Sequence, residues 1–362
     1  MNPTQTLIHA GQSLWLDNIT RDLLGSGTLK RYIDALGITG LTSNPTIFDH
    51  AFQSSDAYDD AIGSAAKGGR SPEDVFFDLA IDDLRGAADL FRGIWDRTNG
   101  VDGWVSLEVS PRLAYDARRT TQAAAELFAR AGRPNLFIKI PGTEAGLPAI
   151  EEAIFAGVPV NVTLLFSAEQ YLAAAAAYAR ALERRVEAGL DPAVASVASV
   201  FVSRWDTAPE STVQPADLHE TLGIAQAKRG YRAYRGLLDS ARWQRLAHEG
   251  ARPQRLLWAS TGAKDPDASD TLYVRALAAP LTVNTMPDAT LLAFADHGDV
   301  TELLPADGGD ADQVIARFTA AGVDLDALAE RLQSEGAKKF VASWDELMST
   351  IARKARALTI TG

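Results

Sequence analysis

Lys139 stands between Ile138 and Ile140 in "NLFIKIP", residues 135–141, a run that otherwise reads as a buried strand. Desolvating an ammonium there is costly unless it is paired or gives up its proton. Strand alternation puts Leu136, Ile138 and Ile140 on one face and Phe137 with Lys139 on the other. The same phase reading of three more apolar runs groups Asp17 with Trp15, Glu108 with Ser106, and Asn161 with Thr163. An amine, two carboxylates and an amide thus share the inner phase of four strands. A desolvated lysine loses its proton more easily, and the neutral amine attacks a carbonyl to give a Schiff base. The iminium can then draw the electrons of an adjacent C–C bond. That chemistry needs one group to move protons while the imine forms and another to deprotonate the hydroxyl at the cleaved carbon. Glu108 and Asp17 suit those tasks, and Asn161 can hold a sugar hydroxyl without titrating. A plain ion pair of Lys139 with Glu108 or Asp17 would need neither the second carboxylate nor the amide. The set is that of a class I aldolase-type reaction.

Other chemistries fit less well. No histidine joins the strand-end carboxylates, and a central lysine repels a cation, so no metal is called for. His9, His50, His219, His248 and His297 fall on helices or loops, which leaves a serine nucleophile without its base. Pyridoxal phosphate also uses a lysine imine, but no phosphate loop for it is apparent, and no cofactor is expected. Cysteine is absent, which excludes disulfides, thiolate-metal sites and a cysteine nucleophile. The 35 basic and 47 acidic residues give a net charge of −12 with no dense basic stretch, which argues against nucleic acid. A small phosphorylated substrate remains compatible, since a local basic pocket can work within an acidic surface. The first residues lack the basic and apolar regions of a signal peptide, and no apolar run could span a bilayer. The expectation is a cytoplasmic protein without a membrane partner, either monomer or homodimer.

The elements that must hold this set alternate along the chain. Candidate strands are 13–18, 38–44, 104–110, 135–141, 158–166, 197–203, 255–261 and 280–286. Within the fifth, Val160, Val162 and Leu164 take the helix-facing phase; in the sixth, both faces are apolar, with Ser199 and Phe201 sharing one of them. Helices lie between: Ser71 and Pro72 open one, Ser110 and Pro111 another, and Ser167 with Gln170 forms a capping box for a third. Gly132 and Gly189 close their helices. Eight β-then-α units predict a (β/α)₈ barrel with its site at the C-terminal ends of the strands. A doubly wound sheet lacks its Gly-rich loop here. With 362 residues, 46% hydrophobic, the chain exceeds a minimal barrel. It reads as one domain over 1–362, with helical insertions about 50–100 and 205–250 and a helical extension about 300–362.

"GITGLTSNPTIF", "SLEVSPRLAYD", "LFIKIPGT", "VNVTLLFS", "VASVFVSRWD" and "LWASTGAKDP" together closely resemble the transaldolases, in the family's order and across nearly the whole chain. The resemblance implies that Lys139 forms the Schiff base with a ketose donor, that Asp17 is the acid/base at the cleaved carbon, and that Glu108 moves protons through a water held by Thr163. Asn44, Asn161 and Ser199 would hold the dihydroxyacetone unit, Arg204 the acceptor phosphate, and Ser260 would also bind substrate. Phe201 stands where transaldolases carry Phe and the related fructose-6-phosphate aldolases tend to carry Tyr. Simpler readings exist: a turn at Asn44–Pro45, core hydroxyls at Thr163 and Ser199, and a surface pair of Arg204 with Asp206. The sequence departs from the family at Gly262, where many members place an arginine, while Lys264 lies two residues on. This is similar to a longer variant subgroup, with Lys264 as the candidate second phosphate ligand.

Overall fold

The computed structural model describes residues 2–210 and 216–360. Residues 211–215 of the expected insertion, 361–362 of the extension and Met1 lie outside them. Eight parallel strands run β1 Gln12–Leu16, β2 Gly40–Leu41, β3 Val105–Glu108, β4 Leu136–Pro141, β5 Val160–Leu165, β6 Ser196–Phe201, β7 Gln254–Ala259 and β8 Thr282–Met286. They pair in the order β2-β1-β8-β7-β6-β5-β4-β3. A bridge between Gly40 and Trp104 joins β2 to the start of β3, where the Leu41 N–H donates to the Trp104 carbonyl at 2.9 Å. Glycine is required there, since a Cβ on residue 40 would stand 2.6 Å from that carbonyl and 2.7 Å from the Trp15 ring. The result is the expected (β/α)₈ barrel.

The two phases of the strands separate as alternation predicts. Leu14, Leu16, Leu107, Ile138, Val160 and Trp258 pack outward under the helices, while Trp15, Phe137, Val197, Leu257 and Val283 fill the interior. Trp104 stacks on Phe137 at 4.1 Å, and Trp15 lies 6.2 Å from the same ring. At the N-terminal end Asp102 accepts from Trp15 Nε1 at 3.1 Å and from Arg255 at 3.3 Å. These layers make the barrel a packed core with no passage through its base.

Helix caps explain where several connections start. Ser71 accepts from the Asp74 amide at 3.1 Å, and the Ser167–Gln170 capping box is formed. Two local expectations are corrected. Ser110–Pro111 opens only a short 3₁₀ turn, Pro111–Leu113, and the helix begins at Ala117 because Asp116 caps it, accepting from the Arg119 amide at 3.0 Å. Leu164 does not face the outer helices: φ is +61° there, the β5–β6 register shifts between Val162 and Leu165, and Leu165 takes the outward place. This β-bulge re-aims Leu164 toward the mouth.

Three helices, Pro45–Ser54, Asp59–Lys67 and Pro72–Arg97, fill the stretch before β3, and the last described element is a 36-residue helix, Leu325–Ile360. That helix crosses the C-terminal mouth. Gln333 Nε2 donates to the carbonyls of Gly142 at 3.1 Å and Leu164 at 2.9 Å, tying it to β4 and β5. Farther along, Trp344 packs on Phe76 at 5.0 Å and Lys354 pairs with Asp59 at 2.6 Å. Among the described residues, no helix is long and apolar enough to cross a membrane.

The Asp102 network yields a stability test. Asp102→Ala strips Trp15 Nε1 of its acceptor and Arg255 of its counter-charge, while Arg255 keeps the Val101 and Thr282 carbonyls, and is expected to cost roughly 1–3 kcal/mol in urea unfolding, the scale for leaving a buried donor unsatisfied. A loss near zero would show that the base of the barrel does not depend on this carboxylate.

Candidate active site

Strand register sets the floor of the site. Glu108 on β3 is level with Lys139 on β4, which is level with Asn161 on β5. Alternation turns all three inward, so one layer holds carboxylate, amine and amide side by side. Lys139 and Glu108 are 5% and 4% exposed. Lys139 Nζ donates to Glu108 Oε2 at 3.3 Å and to the Ser43 carbonyl at 3.0 Å. Ser43 belongs to the turn after β2, held by its hydroxyl donating to the Ser106 carbonyl at 2.7 Å.

Asp17 follows β1 directly. Its carboxylate accepts from Thr42 Oγ1 at 2.7 Å, and Thr42 in turn lies 2.7 Å from Thr285 Oγ1. Burial pushes the Asp17 carboxyl above its ordinary range, against the opposing pull of Lys139, the Thr42 hydrogen bond and Lys264. Burial likewise raises Glu108, with the Lys139 charge and hydrogen bond opposing and Asp17 adding to the rise. Two desolvated carboxyls therefore share one amine, and each holds its proton more tightly than in water.

Asn161 is fully buried and oriented from both sides: Ser199 Oγ donates to its Oδ1 at 2.7 Å, and its Nδ2 donates to Ser106 Oγ at 3.2 Å. Thr163 Oγ1 and Glu108 Oε1 are buried without a hydrogen-bond partner among the described residues. Such atoms need an explanation in a native core. A cavity of about 230 Å³ opens above this floor, lined by Asp17, Asn44, Lys139, Thr163, Ser199, Phe201, Arg204, Ser260 and Lys264. Together with Glu108 and Asn161 just beneath, all eleven residues singled out from sequence converge on one place.

The rim residues come from turns that begin as the strands end. Asn44 caps the helix Pro45–Ser54, its Oδ1 accepting from the Ile47 amide at 3.1 Å, so the turn reading of Asn44–Pro45 holds alongside its place in the cavity. Arg204 follows β6 in a short helix, Ser203–Asp206, and its Nε is buried with no acceptor among the described residues. Asp206 accepts instead from the Gly223 amide at 3.1 Å and from Tyr273 Oη at 2.9 Å, and burial pushes it up to about 6. Ser260, just past β7, has φ +56° and lies 2.8 Å from Ser203 Oγ. That left-handed backbone folds the next residues back over the mouth. A Cβ on Gly262 would stand 3.9 Å from Lys264 Nζ, so the ammonium occupies the space beside the missing side chain.

Strand phase alone did not reveal Thr42, Ser43 or Thr285, although Thr42 and Ser43 lie in the quoted "GITGLTSNPTIF" and Thr285 shares the inward phase of Val283. Phe340 was missed entirely. It sits on the helix Leu325–Ile360 with its ring centroid 5.8 Å from Lys139 Nζ. Nothing local in the sequence marks it.

A (β/α)₈ barrel that gathers its buried polar side chains at the C-terminal mouth has the build of a barrel enzyme. The Transaldolase/Fructose-6-phosphate aldolase family model matches residues 14–351. A transaldolase of Frankia alni is 45% identical over 98% of this chain and 97% of its own length. One of Thermobifida fusca is 46% identical over 99% of this chain and 100% of its own, and one of Saccharopolyspora erythraea is 46% identical over 96% of each. The chain belongs to this family and is one of its transaldolases.

The raised carboxyls predict how stability follows pH. A carboxyl whose folded pKa is raised binds its proton more tightly in the folded state. Its contribution is full below the unfolded value and is lost as pH rises through the folded one. Asp17→Asn removes one such group and keeps an oxygen for Thr42. The variant should melt higher than the parent at about pH 8, with the gap narrowing toward about pH 4, where unfolded aspartate takes up its proton. A gap independent of pH, read by calorimetry, would contradict the assignment.

Proposed function

We propose that this enzyme moves a dihydroxyacetone unit from sedoheptulose 7-phosphate to glyceraldehyde 3-phosphate, giving erythrose 4-phosphate and fructose 6-phosphate through a Schiff base on Lys139. It would serve the non-oxidative pentose phosphate pathway in the cytoplasm. The observation that carries this reading is Lys139 Nζ, buried 3.3 Å from Glu108 Oε2 at the floor of a cavity that Asp17 also lines.

The amine adds to the ketose carbonyl, and the carbinolamine loses water to give the iminium. Glu108 moves the protons of that exchange; its unpartnered Oε1 and the unpartnered Thr163 Oγ1 are the two sites a shuttling water would bridge. Asp17 then takes the proton from the hydroxyl beside the breaking C–C bond, whose electrons flow into the iminium as the aldose leaves. The remaining enamine attacks the second aldehyde, and the steps run backward. Burial suits both carboxyls to the work, because a raised pKa lies nearer the operating pH. Asn44, Asn161 and Ser199 hold the donor's hydroxyls, and Phe201 supports transfer rather than release. Arg204 offers its unpartnered Nε to phosphate, with Ser260 and Lys264 across the cavity. Lys264 serves there as a point charge in place of an arginine fork.

Borohydride trapping at successive times tests the division of labour. With donor present, a single reduced adduct should appear on the peptide containing Lys139. Asp17→Ala should still accumulate it while failing to release erythrose 4-phosphate. Glu108→Ala should slow its appearance by about 10²–10⁴-fold, the scale of a positioned acid or base. An adduct on another lysine, or reversed behaviour of the two variants, overturns the assignment.

Phosphate recognition has its own test. Arg204→Ala should weaken phosphorylated acceptors by roughly 1.5–3 kcal/mol, the scale of a charge-assisted bond, and leave non-phosphorylated aldehydes nearly unchanged. Equal losses for both acceptor types would remove the phosphate role.

A further inference from the structure

Between cleavage and transfer, the proposed cycle holds its three-carbon unit as an enamine on Lys139. Two fates compete. The enamine carbon can attack the acceptor's carbonyl carbon, forming a C–C bond while the carbonyl oxygen takes a proton. Alternatively that carbon takes a proton, giving the iminium of dihydroxyacetone; water adds, and the C–N bond breaks. The second route returns the free amine and releases dihydroxyacetone. A transferase therefore has to keep bulk water, as a proton source, from the enamine carbon while it waits, even though the water between Glu108 and Thr163 is needed to form and hydrolyse the imine.

Phe340 stands where this can be done. It is 8% exposed, its ring lies over Lys139 Nζ at 5.8 Å, and it lines the cavity holding Asp17 and Lys139. It also lines a second cavity, of about 250 Å³, on the outer side, where Arg331 and Glu335 supply a polar wall. Phe201 and Arg204 line both cavities too, and Phe201 continues into Phe166 with ring centroids 5.4 Å apart. Phe340 and Phe201, with Arg204, thus stand between the cavity of the amine and this second cavity.

The placement of Phe340 is built in. It shares one helix face with Gln333 and Gly336, at spacings of three and four. Gln333 ties that face to the carbonyls of Gly142 and Leu164 at 3.1 and 2.9 Å. Gly336 lets the helix come close, since a Cβ there would stand 2.9 Å from Leu164 Cδ2. The β5 bulge that presents the Leu164 carbonyl therefore also sets the height of Phe340 above Lys139.

We infer that Phe340, carried by the C-terminal helix, is a specificity-determining residue that keeps bulk water, the proton source, from the enamine carbon of the Lys139 adduct and so favours transfer over release of dihydroxyacetone. The inference rests on the Schiff-base reading above. Its test is a partition ratio: free dihydroxyacetone released per fructose 6-phosphate formed, from sedoheptulose 7-phosphate and glyceraldehyde 3-phosphate, with borohydride trapping on the same samples. Phe340→Ala should raise the ratio by about tenfold or more while still forming the Lys139 adduct. Phe340→Leu, which restores apolar bulk, should return it near the parent value, and Gln333→Ala should raise it by loosening the helix. A folded Phe340→Ala with the parent ratio, or one losing transfer and release in parallel, overturns the inference. If alanine does not fold, Phe340→Val carries the same test, and an unchanged ratio there overturns it. Absence of the adduct from the parent enzyme would instead overturn the Schiff-base reading, and this inference with it.

Discussion

An amine buried in the barrel interior, in contact with a carboxylate, is the constraint around which this molecule is organised. Burying either charge alone would cost several kcal/mol, and even as a pair they contribute little to stability. The arrangement is tolerable because the backbone supplies the remaining partner: Ser43 offers its carbonyl, and Ser43 is itself fixed to β3. Register then does the rest, placing Glu108, Lys139 and Asn161 at one level on three successive strands. Closure of the barrel at Gly40 matters for the same reason, since it brings the turn carrying Thr42 and Ser43 against the start of β3.

Around this rigid floor, adjustable residues sit on the turns that leave the strands. The division is economical, because a strand fixes a side chain's direction while a turn can change its residue without disturbing the core. Gly262 and Lys264 illustrate the freedom. A lysine two positions along fills the space beside the glycine, with the left-handed backbone at Ser260 steering the turn. The acidic surface overall does not prevent cations from gathering at the mouth, where Arg204 and Lys264 line one cavity.

Much of this was legible in the sequence because strands have a short, strict period. Once Lys139 was placed against Ile138 and Ile140, the inward phase followed for Asp17, Glu108 and Asn161 without any knowledge of contacts. Features that break the period were not legible. Leu164 obeys the alternation on paper, yet a positive φ turns it toward the mouth. The helix after β3 is capped by Asp116 and not by the equally suitable Ser110, because both offer capping chemistry and only tertiary packing chooses between them. Phe340 lies some two hundred residues from Lys139 in the chain, and no periodicity links the two.

The base of the barrel carries one more consequence. Trp15, Trp104 and Phe137 pack the interior below Lys139, and Asp102 with Arg255 seals the end beneath them. Among the described residues, the amine faces the cavity at the mouth, and on the proposed reading the substrates would come and go there. On the Schiff-base cycle proposed above, the departing aldose and the incoming acceptor would share this one opening and compete for the same space above Lys139.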